Sequence, residues 1–141
     1  MHASGASLLA NQLHHLGVPI LGQDPPADIK STEGFFESDQ VVELQESLLK
    51  SLDRWWPSQT GFLPLPITWL SHPATQKARD RLINLLCHQA SSCKLPLLIN
   101  DPRSSVLLPL WRVICKQLDL SLQLIFAVRN PEDVLSSIMA Y

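Results

Sequence analysis

Four small residues near the start of the chain, Ser4-Gly5-Ala6-Ser7, stand directly ahead of a helical pattern with Leu9, Leu13 and Leu16 at i, i+4 and i+7. The first backbone N–H groups of a helix have no internal partner, and the aligned peptide dipoles add positive potential there. Small residues at such a mouth let an oxyanion approach the backbone, and Gly5 adopts conformations closed to larger residues. The hydroxyls of Ser4 and Ser7 can donate to the same anion. Either serine can instead be an ordinary N-cap. The Walker A frame, with its lysine, is absent.

A second set of anion-binding groups lies near the other end. Arg129 follows the apolar run Leu122-Gln123-Leu124-Ile125-Phe126-Ala127-Val128 and precedes Asn130-Pro131-Glu132-Asp133. Asn130 suits an N-cap, Pro131 the first helical position, and the two acids the first turn. A guanidinium at a strand-to-helix junction sits where open α/β sheets bind ligands, and it can grip a phosphate with two N–H groups. The alternative is an ion pair with Glu132 or Asp133. Asp101 and Arg103 follow a shorter apolar run at 95–99. They can line the same cleft or form a structural ion pair.

The elements that must position these groups are helices separated by short strands. The first helix ends at Gly17 and Pro19. A second opens at Ser38 or Asp39 and carries Val41, Leu44, Leu48 and Leu52 on one stripe. A third opens after Ser71, with Pro73 in its first turn and Ala78, Leu82 and Leu85 on its face. A fourth spans 105–118, with Leu107, Trp111, Ile114 and Leu118 in phase. A last helix runs from Pro131 to the end through Val134, Ile138 and Tyr141. Segments 18–37 and 55–66 are irregular. The runs 95–99 and 122–128 are too short for helices and read as buried strands. Apolar strands alternating with helices predict an α/β fold, with a parallel sheet in a P-loop-like three-layer arrangement.

Bulk properties narrow the function classes. The 141 residues fit a single domain, 1–141, and 45% apolar residues suffice for a core. A net charge of −2 gives no broad footprint for a nucleic-acid backbone, so an anion site must be built locally. Three cysteines, Cys87, Cys93 and Cys115, are an odd number and fit a reducing, cytoplasmic setting with free thiols. Cys87, His88 and Cys93 lack a second ligand pair at zinc spacing, so no metal is expected. No apolar run is long enough to span a membrane, and no secretion signal is visible.

Five segments, in order, carry a family resemblance. Met1-His2-Ala3-Ser4-Gly5-Ala6-Ser7-Leu8-Leu9 resembles the phosphosulfate-binding loop of sulfotransferases, and Leu13-His14-His15-Leu16-Gly17-Val18-Pro19 resembles its continuation. Glu33-Gly34-Phe35-Phe36-Glu37 ahead of a helix, Asn100-Asp101-Pro102-Arg103, and Val128-Arg129-Asn130-Pro131 with Ser137 are similar to the family's later segments. The resemblance implies 3'-phosphoadenylyl sulfate as co-substrate, without a metal. It implies sulfuryl transfer to a hydroxyl or amine on a small-molecule or glycan acceptor. Ser4, Gly5, Ala6 and Ser7 would hold the 5'-phosphosulfate, and Arg129 and Ser137 the 3'-phosphate. Glu37 would be the base that takes the acceptor proton, or it merely favours the N-terminus of the following helix.

The chain departs from the family in three ways. Ala3 stands where the family places Arg or Lys, and Ala6 replaces a Thr. Losing one preorganised contact of this kind costs on the order of 3–4 kcal/mol in the transition state. Only three residues precede Ser4, so the strand that should lead into the loop is missing. The sequence stops shortly after the 3'-phosphate segment, and truncation at both ends is expected. Two other readings stay open: a P-loop nucleotide kinase-like phosphotransferase, and a non-catalytic remnant or helical interaction module.

Overall fold

The computed structural model describes residues 5–23, 36–92 and 96–139. Helix α1 (Ala6–His15) is followed by α2 (Asp39–Ser51), a 3-10 turn at Trp69–Ser71, α3 (Pro73–Ser92), α4 (Arg103–Val106), α5 (Leu108–Gln117) and α6 (Pro131–Met139). No described helix is long and apolar enough to cross a membrane.

The boundaries follow local chemistry. Ser38 caps α2, its Oγ accepting from the Val41 N–H at 3.4 Å. Pro73 occupies the first position of α3, where its missing N–H costs nothing. The expected single helix over 105–118 is instead two helices broken at Leu107. Pro109 has no N–H to donate back to Ser105, so the longer helix cannot run through it. Pro109 falls in the first turn of α5, a position that tolerates it.

The core is helix packed on helix. Val41, Leu48, Leu49 and Leu52 of α2 meet Ala78, Leu82 and Leu86 of α3, with Leu110, Trp111 and Ile114 of α5 closing the third side. Leu21, Trp69 and Leu107 fill the gaps between them. Packing among the helices runs through α2, α3, α4, α5 and the 3-10 turn. Burial of leucines and tryptophans at these helical spacings is the main stabilising term.

The expected parallel sheet, and with it the three-layer P-loop-like arrangement, does not form among the described residues. The described residues are 57% helical and hold no strand. A single parallel bridge joins Ile20 to Leu98. Leu21 N–H donates to the Leu98 carbonyl, and Leu98 N–H to the Pro19 carbonyl, each at 2.8 Å. The reason is a lack of neighbours. A ladder needs donors and acceptors on an adjacent segment, and Pro96 offers no N–H. Beside Ile20 the neighbour's place is taken by a side chain: Gln89 accepts from Gly22 N–H at 2.6 Å and donates to the Ile20 carbonyl at 2.8 Å. The run 122–128, expected as the second buried strand, is neither helix nor strand. Apart from Leu122 and Ala127 it is exposed, Phe126 at 79% and Val128 at 89%.

Candidate functional site

The most developed polar cluster sits where α2 faces the turn into α4. Asp101 is almost wholly buried, and three groups fix its carboxylate. Gln45 Nε2 donates to Oδ2 at 2.6 Å, while Arg103 gives its backbone N–H and its guanidinium to Oδ1, both at 2.9 Å. The Arg103 guanidinium also lies 3.8 Å from Glu46 on α2. Gln45 completes the cluster with its Oε1, which accepts from Trp111 Nε1 at 3.0 Å and Ser104 Oγ at 3.1 Å. Asp101 and Arg103 thus form the structural ion pair that was one of their two expected roles.

Glu37 stands at the edge of this cluster, one residue before the Ser38 cap. Burial pushes its carboxyl above the ordinary value, the Asp101 charge pushes it the same way, and Arg103 opposes them. Its backbone carbonyl accepts from Gln23 Nε2 at 3.2 Å. Phe36, in the left-handed region at φ 51°, packs its ring 6.3 Å from that of His14 at the end of α1. The segment before α2 is therefore anchored to both α1 and the 20–23 turn.

Glu46 has the opposite bias. A 2.9 Å hydrogen bond from Trp55 Nε1, aided by the Lys50 and Arg103 charges, holds its carboxyl below the ordinary value. Lys50 lies 3.6 Å from Glu46 and 4.7 Å above the Trp55 ring.

At the start of the described chain, Gly5 is the N-cap of α1 with φ 91°, and no side chain bonds the cap. Ser7 lies inside the helix and is not its capping residue, and Ser4 lies outside the described residues. The first helical bond runs from Leu9 N–H to the Gly5 carbonyl, and the first turn holds no acid. The N–H groups of Ala6, Ser7 and Leu8 thus have no partner within the helix and no acid in the first turn beside them, which suits an anion. His2 and Ala3 also lie outside the described residues.

At the far end Asn130 caps α6 as its sequence position implies. Its Oδ1 accepts from Glu132 N–H, and its carbonyl from Val134 N–H, each at 3.1 Å. Arg129 is exposed and Ser137 half-buried on α6. The structure brings Glu37, Asp101 and Arg103 together.

Comparison with protein-family models, with curated proteins and with solved structures finds no match for this chain.

Gln45 is the functional-site residue that the sequence reading misses. A polar residue in phase with Val41, Leu48 and Leu52 was the available signal, because a buried polar group on an apolar stripe must have partners. Among the described residues no group of three His, Cys, Asp or Glu is placed to hold a metal. Cys87 is exposed and Cys115 buried, both as free thiols. Cys93 lies outside the described residues.

Proposed function

We propose that the chain is a sulfotransferase-like unit that binds 3'-phosphoadenylyl sulfate and passes its sulfuryl group to a hydroxyl or amine of a small-molecule or glycan acceptor in the cytoplasm. One observation carries the reading. Glu37, the candidate base, is partly buried, and the charges of Asp101 and Arg103 act on its carboxyl, so two separate resembling segments influence one carboxylate. A raised carboxyl is a better proton acceptor near neutral pH than an ordinary one. Support also comes from α1, whose glycine-capped, acid-free N-terminus suits the 5'-phosphosulfate held by Ser4, Gly5, Ala6 and Ser7.

In the proposed step the acceptor oxygen or nitrogen attacks sulfur and the sulfur–oxygen bond to the 5'-phosphate breaks. The acceptor proton passes to Glu37. Adenosine 3',5'-bisphosphate leaves, with Arg129 and Ser137 on its 3'-phosphate. Ala3 supplies no cation to the leaving phosphate, so turnover is expected to be slow, by a factor of about a hundred to a thousand.

Calorimetric titration with adenosine 3',5'-bisphosphate tests binding, and transfer of labelled sulfate tests chemistry. Arg129→Ala should weaken binding by about ten- to a hundredfold, the value of a charged hydrogen bond. Glu37→Gln should keep binding and lose transfer. A preference for ATP with magnesium would favour a kinase-like phosphotransferase instead. A helical interaction module is the second reading, favoured by the helix-on-helix core without a sheet among the described residues. It predicts no binding of either nucleotide.

A further inference from the structure

The run 122–128 exposes consecutive apolar side chains. Leu124, Ile125, Phe126 and Val128 are 50%, 63%, 79% and 89% exposed. Alternate side chains of an extended segment point to opposite sides, so this run is apolar on both. Among the described residues its backbone makes no hydrogen bond to another segment. Unpaired N–H and C=O groups beside apolar side chains are a template for strand pairing.

The flanking charges say which strand fits. Upstream, the second half of α5 carries the exposed cations Arg112 and Lys116, with one exposed acid, Asp119, after them, beside an open groove lined by Val113, Cys115, Leu120 and Leu122. Downstream, one exposed cation, Arg129, is followed by α6 with the exposed acids Glu132 and Asp133 in its first turn, so the downstream end is net acidic where the upstream end is net basic. Arg112, Lys116, Glu132 and Asp133 form no ion pair among the described residues. Antiparallel pairing of the run with the same run of another copy sets the basic end of one α5 against the acidic start of the other α6, and does so twice. Parallel pairing would set like charges together.

We propose that two copies of this chain associate through an antiparallel pairing of residues 122–128, locked at both ends by Arg112 and Lys116 of one copy against Glu132 and Asp133 of the other. The arrangement is isologous, so it closes at two copies and leaves the paired edge satisfied. It is independent of the nucleotide-binding reading.

Sedimentation equilibrium of the full chain across a micromolar concentration series reads the outcome. A monomer–dimer equilibrium that weakens with added salt is expected. Ile125→Lys should weaken dimerisation roughly tenfold or more, with unchanged helical circular dichroism, because the side chain is exposed. Arg112→Glu with Lys116→Glu should do the same, and adding Glu132→Lys with Asp133→Lys should restore the dimer. A chain that stays monomeric overturns the proposal. So does open-ended growth with concentration, or a dimer indifferent to both Ile125→Lys and the charge reversal.

Discussion

Gln45 and Asp101, 56 residues apart in sequence, share a 2.6 Å hydrogen bond in the interior of the protein. The bond ties α2 to the turn that opens α4. Gln45 is only 1% exposed, so every group it satisfies would otherwise be buried without a partner. Replacing Gln45 by Met keeps the volume but strands Asp101 Oδ2 and Trp111 Nε1. The cost of such unpaired groups is about 2–4 kcal/mol. Urea unfolding of Gln45→Met should show that loss, with a shift in Trp111 fluorescence. A variant as stable as the parent would mean that water takes over both bonds.

Glu37 and Glu46 should respond to pH in opposite senses. Burial raises the Glu37 carboxyl above its ordinary 4.5, so the native state holds that proton more tightly than the unfolded chain. Its contribution to stability is complete below pH 4.5 and is lost as the pH climbs through the raised native value. Glu37→Gln removes the titration. It should therefore gain on the parent as the pH rises above 4.5 and match it in acid. The measurement is urea stability of the two proteins across the pH range.

Glu46 is held below 4.5 by the Trp55 hydrogen bond first and by Lys50 and Arg103 after it. The sign reverses: its contribution is present above 4.5 and is lost as the pH falls through the lowered native value. Glu46→Gln should lose stability at neutral pH and converge with the parent in acid. The side chain is partly exposed, so the neutral-pH loss should stay under about 1 kcal/mol and shrink with salt. Urea titrations at low and high salt check both parts.

What the sequence made legible was local. The cap at Asn130, the proline at the start of α3 and the stripe of α2 are decided by residues a few positions apart and stand as read, and of the two candidates Ser38 and Asp39 it is Ser38 that caps α2. The sheet was not decided locally. Residues 122–128 have the composition of a buried strand, but a strand exists only if another segment supplies the facing donors and acceptors. The break at Leu107 was legible from Pro109 and was passed over, because the apolar phase of Leu107, Trp111 and Ile114 continues across it. At the site, the chemistry-bearing Glu37, Asp101 and Arg103 were visible as residue types. The neutral Gln45 that organises them has no chemistry of its own to draw attention.

Gly22 and Ser38 should behave as one unit. Gly22 sits in the left-handed region at φ 80°, and its N–H is held by Gln89 Oε1. A methyl at this position would collide with Ser38 Oγ, the cap of α2. Gly22→Ala therefore combines an unfavourable backbone conformation with a steric conflict, for a combined loss of roughly 1–3 kcal/mol. Ser38→Ala alone forfeits the cap, about 1 kcal/mol. Removing the hydroxyl also removes the atom that the new methyl meets. The double variant should thus be more stable than the sum of the single losses implies, by more than the roughly 0.5 kcal/mol expected of independent sites. A thermodynamic cycle from urea midpoints measures this coupling. Strict additivity would show that Ser38 turns aside freely, and that the strain at residue 22 lies wholly in its backbone.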